Sequence, residues 1–210
     1  FTLIDTSPDI KIQLLKNKVK NIDRVLYSHF HADQTHGINE LRFFYLKKRY
    51  KIPVYADQKT KKYLLSSFKY CFKNTPEYPS VLNMNSLRKI HLFKDNKDKI
   101  SIRSVKVKHG TIESMAFIIN KSCAYISDAN EIYNKDLKYF KNLNFFVIDC
   151  LRYKHHPSHF NLRDVLNLIK IIKPKKTILT NLNNELDYNK LKMKIPKNVF
   201  PAYDGMSFSI

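Results

Sequence analysis

The stretch Tyr27-Ser28-His29-Phe30-His31-Ala32-Asp33-Gln34-Thr35-His36-Gly37 decides how this chain is read. Three histidines and an aspartate crowd directly behind the apolar run Arg24-Val25-Leu26-Tyr27. They stand directly ahead of a helical spacing at Ile38, Leu41, Phe44 and Tyr45. The order predicts strand, loop, helix. Histidines two apart at an extended strand end lie on one side, so His29 and His31 can offer ring nitrogens to one metal ion, with Asp33 continuing the spacing. The competing reading is a polar surface loop that happens to hold histidines. Asp33, the strand before the loop and the glycine after it weigh against that.

Working outward, Phe1–Asp5 reads as a strand that ends in a carboxylate. Ser7-Pro8-Asp9 reads as a helix start in which Ser7 accepts from backbone N–H groups, with Ile12, Leu15 and Val19 on one face. A helix is expected to about Lys48, then a strand Pro53–Ala56 and a helix from Asp57 toward Phe68. Residues Lys73–Asn85, with Pro76 and Pro79, have no clear period and read as an excursion. From Ile90 the runs Ile90–Phe93, Ile100–Val107, Met115–Asn120 and Cys123–Ser127 predict an antiparallel set closed by Asp128. The α/β pattern then returns: a helix near Ile132–Phe140, a strand Phe145–Asp149, a histidine-bearing loop and a helix from about Asn161. A strand Thr177–Thr180, a short helix around Leu191 and a closing strand Met206–Ile210 complete it. The order fits one domain over residues 1–210, an α/β fold layered α/β/β/α.

At 210 residues the chain can bury one sizeable core, and 43% hydrophobic content is ordinary for a globular domain. No apolar run reaches the ~20 residues that span a bilayer, so no membrane partner is expected. The formal charge of +20 invites a nucleic-acid reading. Lysine is scattered rather than clustered, which fits general compositional bias better than a selected stripe, so nucleic acid is the less favoured partner. The charge would still steer small anions. Cys71, Cys123 and Cys150 form no C-x-x-C pair, and Cys123 and Cys150 sit in apolar runs, so core packing and a cytoplasmic location are expected. The oligomeric state is open, a dimer included.

The three glycines each follow a polar residue of the metal-ligating kind, in His36-Gly37, His109-Gly110 and Asp204-Gly205. In so glycine-poor a chain each should answer a need for positive φ or close approach. His109 ends a strand and is a candidate third imidazole for the ion held by His29 and His31. Asp128 ends a buried strand and needs a partner there. Arg152-Tyr153-Lys154-His155-His156-Pro157-Ser158-His159 combines imidazoles with cations, as an anionic phosphate ester would require.

The series His29-x-His31-x-Asp33 followed by His36-Gly37 resembles the signature of the metallo-β-lactamase fold, whose usual form is H-x-H-x-D-H. The resemblance implies that His29, His31 and His109 hold one metal ion. Asp128 would bridge to a second ion held by Asp33 and by positions 34 and near 181. Those positions are usually histidine and are Gln34 and Asn181 here. Amide oxygens are weak ligands that suit Mg- or Mn-like ions better than zinc, so one tightly bound Zn2+ or Mn2+ is expected, the second weak or absent. Asp33 therefore counts with both the catalytic and the metal residues. The His-Pro-Ser-His segment and the closing Pro201–Met206 are similar to the branch that includes cyclic phosphoribosyl phosphodiesterases, which makes His159 the expected general acid and His156 its substitute. Asp5 and Asp204 are expected either to orient ligand imidazoles or to serve in turns and caps. One or more strands usually precede this point in the family, so the sequence reads as N-terminally incomplete.

These features imply a metal-dependent hydrolase that cleaves a small anionic phosphodiester, cyclic or nucleotide-like. Two alternatives stand beside it: an RNA- or DNA-processing nuclease with the same chemistry, and a degenerate, non-catalytic domain that binds a phosphorylated ligand.

Overall fold

A computed structural model describes residues 1–95 and 98–210, and the chain divides into two compact units, Phe1–Leu87 and Arg88–Ile210. In the first unit the described residues form a four-stranded parallel sheet, in the order β1 (Thr2–Ile4), β2 (Arg24–Leu26), β3 (Ile52–Ala56) and β4 (Leu82–Ser86). Helix α1 (Ile10–Lys16) joins β1 to β2. The short α2 (Ala32–Thr35), a 3-10 turn and α3 (Leu41–Lys48) join β2 to β3. Helices α4 (Gln58–Ser67) and α5 (Lys69–Phe72) lead toward β4. Val25, Tyr27, Ile38, Leu41, Ile52, Val54 and Leu64 share the buried core of this unit.

The expected elements form here, but the buried face of α1 is Ile10 and Leu14, and Ile12 and Leu15 are exposed. Asp57 caps α4 by accepting from the Thr60 N–H at 2.9 Å. Ser7 does not cap α1: its hydroxyl donates to Gln13 Oε1 at 2.9 Å, while its carbonyl accepts from Ile10 N–H at 3.0 Å. The excursion after Lys73 contains the edge strand β4, Leu-Asn-Met-Asn-Ser, in which only Leu82 is buried.

In the second unit the described residues form a seven-stranded mixed sheet. Its antiparallel side is β5 (Ile90–Asp95), β6 (Asp98–His109), β7 (Ile112–Ile119) and β8 (Cys123–Ile126). Its parallel side continues through β9 (Phe145–Asp149), β10 (Lys176–Thr180) and β11 (Val199–Pro201). Both faces of the inner strands are buried: Ile126, Phe146 and Ile148 enter one apolar cluster, Cys123, Val147 and Ile178 the other. That is the period-2 consequence of a strand covered on two sides.

Helix α6 (Leu162–Ile172) is capped by Asn161, which accepts from Asp164 N–H at 3.0 Å, and it buries Leu162, Val165 and Ile172. Helix α7 (Tyr188–Lys194) leads to β11. The expected helix near Ile132–Phe140 is a 3-10 helix over Asn134–Tyr139. The expected closing strand at Met206–Ile210 is not a strand: the chain pairs earlier, through Val199–Pro201 beside β10. Met206 instead closes a turn on Tyr203, so Pro201 marks the end of pairing rather than its approach.

Strand polarity organises the second unit. β6 and β8 each run antiparallel to β7 and therefore point the same way, and β9 and β10 lie parallel to β8. The C-terminal ends of β6, β8, β9 and β10 thus gather at one end of the sheet. His109, Asp128, Asp149 and Asn181 stand at or just beyond those ends.

Candidate metal centre

In the first unit the loop after β2 carries a buried relay. Asp5, at 6% exposure, follows β1 in a left-handed conformation, φ 59°. Its carboxylate accepts from the Ser28 N–H and the Ser28 hydroxyl, both at 2.7 Å. A carboxylate can only accept, so the single Ser28 hydroxyl proton is spent on it. Ser28 Oγ then accepts from His29 Nδ1–H across 3.0 Å, and the His29 lone pair lies on Nε2. That is the tautomer a metal ligand needs.

His29 Nε2 lies 3.0 Å from His31 Nδ1, with the rings in an edge-on pair. Two nitrogens on one tetrahedral zinc, each at 2.0–2.1 Å, stand about 3.4 Å apart, so the pair fits one ion after a small adjustment. Asp33 does not continue the extended spacing, because helix α2 begins at Ala32 with His31 as its N-cap position. Asp33 lies in the first helical turn, where its charge complements the helix dipole, and its carboxylate accepts from Gln34 Nε2 at 2.7 Å. His36 contacts the Tyr63 hydroxyl at 3.0 Å. Gly37 has no positive φ; a Cβ there would lie 1.9 Å from the Ser7 carbonyl oxygen, so close approach alone accounts for it.

In the second unit Asp128, Asp149 and His159 bring one ligand atom each within 4.8 Å of one another, a donor set that fits a divalent ion. Asp149 is fully buried and accepts from His159 Nδ1 at 2.7 Å and from the Ala129 N–H at 3.1 Å. Burial pushes its carboxyl up, against the opposing pull of His159, the Ala129 N–H and Asn181. The sequence reading passed over Asp149. A carboxylate closing an apolar strand, as at Asp5 and Asp128, was the signal available.

His109 is 3% exposed, and its Nε2 lies 3.9 Å from Asp128 Oδ2. Its Nδ1 meets the Ser158 carbonyl at 2.7 Å, and a carbonyl can only accept, so Nδ1 carries the proton and Nε2 the lone pair. The His-Pro-Ser-His loop therefore orients His109 through the backbone carbonyl of Ser158, a role the sequence does not mark. Gly110 permits this approach: its φ is 60°, and a Cβ would meet Ser158 Cβ at 2.9 Å.

Asn181 is left-handed too, φ 58°, and its Nδ2 donates to Asp128 Oδ1 and Asp149 Oδ1, each at 3.2 Å. The two amides that stand at expected imidazole positions, Gln34 and Asn181, thus both turn N–H groups onto carboxylates. The His156 ring packs 5.0 Å from that of His159, and the His109 ring 4.8 Å from it. Burial, then the charges of His159, Arg152 and His155, hold His156 below its usual value. Arg152 spends its guanidinium on the Lys154 and His155 carbonyls, bracing the loop rather than offering a bare cation. Asp204 is exposed in the closing turn, as the turn reading expects.

Comparison with known proteins follows the same lines. A crystal structure of a new diphosphatase from the PhnP family superposes with a TM-score of 0.87 at 27% identity, covering 98% of this chain and 77% of that one. The short form of human tRNase Z superposes at 0.72, with 16% identity over 100% of this chain and 88% of that one, a likeness of fold. An octanoyltransferase of Porphyromonas gingivalis is 26% identical over 208 residues. The chain spans 41% of the length of that curated relative, while the match takes in 97% of this chain. The model of the β-lactamase superfamily domain matches residues 2–180, with the histidine comb, His109, Asp128, Asp149 and His159 inside the match, and the chain belongs to that family.

Proposed function

We propose that the protein is a metal-dependent phosphodiesterase acting on a small anionic phosphate ester. The observation that carries this reading is the pairing of His159 with the buried Asp149, with Nδ1 and the carboxylate 2.7 Å apart beside Asp128. In the proposal His29, His31 and His109 hold the principal ion with Asp128, and Asp33 belongs to a weaker second position. A divalent zinc or manganese ion held there would supply a water of lowered pKa and positive charge beside the phosphoryl group. The relays from Asp5 through Ser28 to His29, and from Ser158 to His109, keep the Nε2 atoms of these two histidines unprotonated.

Asp149 holds the His159 ring by Nδ1, so Nε2 is the atom that would pass a proton to the leaving alkoxide. The carboxylate stabilises the imidazolium that must exist before that transfer. The likeness to a PhnP-family diphosphatase supports phosphorus as the centre attacked. The test is metal analysis of the purified chain with turnover of bis-p-nitrophenyl phosphate and a cyclic phosphodiester in Zn2+ and Mn2+. Metal-stimulated release of phenolate that His29→Ala abolishes is the expected result. Metal binding without turnover of any phosphodiester would overturn the enzyme reading. It would leave a phosphate-binding domain, which the N–H donation by Gln34 and Asn181 favours as the second reading.

A further inference from the structure

The second unit holds a pocket of about 360 Å3 at the end of its sheet opposite His109 and Asp149. Leu143, in its lining, stands two residues before β9 and six before Asp149, which places the two up to roughly 20 Å apart at about 3.3 Å per residue. Four cations line it: Arg103, Lys121, Lys138 and Lys141. Among the described residues no carboxylate forms an ion pair with any of them, although lysines elsewhere in this unit do pair, Lys106 with Glu113 and Lys108 with Glu131.

The pocket is built rather than incidental. Pairing of β6 with β5 and β7 sets Arg103 opposite both Ile90 and Ile118, so one arginine is flanked by two aliphatic side chains on the same face. Leu143 extends that apolar floor. The Arg103 guanidinium lies over the Tyr139 ring at 4.4 Å and the Lys138 ammonium at 5.2 Å, which fixes two cations against one aromatic surface. Lys121 is presented by the tight β7–β8 turn, in which Ser122 N–H donates to the Ile119 carbonyl at 2.9 Å. Its central residues Asn120 and Lys121 both have positive φ, 51° and 54°, a conformation that glycine takes with less strain. The turn thus carries a cation where its backbone would favour glycine.

We propose that this pocket is a second, non-catalytic binding site for a nucleoside di- or triphosphate. The volume is that of a small-molecule site rather than a track for a polymer. Four unpaired cations, with a guanidinium fork among them, suit adjoining phosphates. The aliphatic floor suits the ring body that inorganic phosphate or pyrophosphate lacks.

The experiment is calorimetric titration of the full chain with the non-hydrolysable α,β-methylene analogue of ADP, with pyrophosphate and with adenosine. It compares the parent with Lys121→Gly, Arg103→Gln and His159→Ala. Lys121→Gly removes the cation while relaxing the left-handed position, so the fold should persist, checked by its melting temperature. One analogue per chain should bind, about ten- to hundredfold weaker in Lys121→Gly and Arg103→Gln and unchanged in His159→Ala. Pyrophosphate should bind more weakly than the analogue, and adenosine not measurably. Binding lost in His159→Ala but kept in Lys121→Gly would assign the analogue to the candidate metal centre and overturn the proposal. So would pyrophosphate binding as tightly as the analogue, or no analogue binding at millimolar concentration.

Discussion

Asn181 donates its side-chain amide to Asp149 Oδ1 at 3.2 Å, and the same nitrogen reaches Asp128 Oδ1. An N–H2 group shared by two carboxylates offsets negative charge where an imidazole at this position would instead add a neutral metal ligand. Gln34 likewise donates its side-chain amide to the Asp33 carboxylate, so on the proposed reading a second ion would find N–H donors where the resembled family has imidazoles. After dialysis the protein should retain about one ion per chain by mass spectrometric metal analysis, any second ion being Mn- or Mg-like and easily removed. Gln34→His combined with Asn181→His should raise occupancy toward two. Two zinc ions surviving dialysis in the parent would refute the account.

His159→Ala should lower phosphodiester turnover by about 10²–10⁴-fold, the usual contribution of a general acid, with metal content unchanged. Asp149→Asn should lower turnover as well, because the amide no longer stabilises an imidazolium. Should metal be lost along with activity in His159→Ala, the residue is a ligand and the assigned role is wrong.

Ser28→Ala cuts the relay between Asp5 and His29 while leaving every ligand in place. Metal affinity measured by competition with a chelating dye should fall about 10–100-fold, as for other groups that orient a ligating imidazole. Parent-like affinity would mean that the His29 tautomer is set by another contact.

Gly37→Ala sets a methyl group 1.9 Å from a backbone oxygen that belongs to the segment before α1. Backbone must move, and the urea midpoint should drop by the equivalent of roughly 1–3 kcal/mol or more. An unchanged midpoint would show that the Ser7 segment yields freely.

The cysteines are buried, and burial raises the Cys71 and Cys123 thiols to about 11 and the Cys150 thiol to about 12. Thiolate is scarce at pH 8, so an aromatic disulfide reagent should modify none of the three in the native protein and all three in denaturant. A group whose folded pKa is raised contributes fully below its unfolded value near 8.5, and that contribution is lost as pH climbs toward 11–12. Rapid native-state labelling of any one of them would contradict the packing described.

Much of this was legible in the chain itself. The strands Phe145–Asp149 and Thr177–Thr180 announce themselves by apolar runs, and the His29–His31 comb by spacing. Ser28 and Ser158 were not legible, because a serine carries no periodic or compositional mark; its role exists only once a tertiary contact pairs it with a ring nitrogen. The run Met206–Ile210 misled for a related reason. Its apolar residues satisfy a strand pattern, whereas pairing with β10 had already been claimed by Val199–Pro201. Asp33 was assigned by continuing a period of two across a boundary where the period becomes that of a helix.

The uniform direction of β6, β8, β9 and β10 has a consequence for how the second unit could be altered. A single residue inserted within a strand would flip every following side chain to the opposite face, His109 or Asp149 included. A residue inserted in the Asn120–Ser122 turn lies between strands, at the other end of the sheet, and leaves those registers untouched. The turn is therefore the place to graft new loops: what the protein grips at that end can be rewritten while the histidine and carboxylate end stays in alignment.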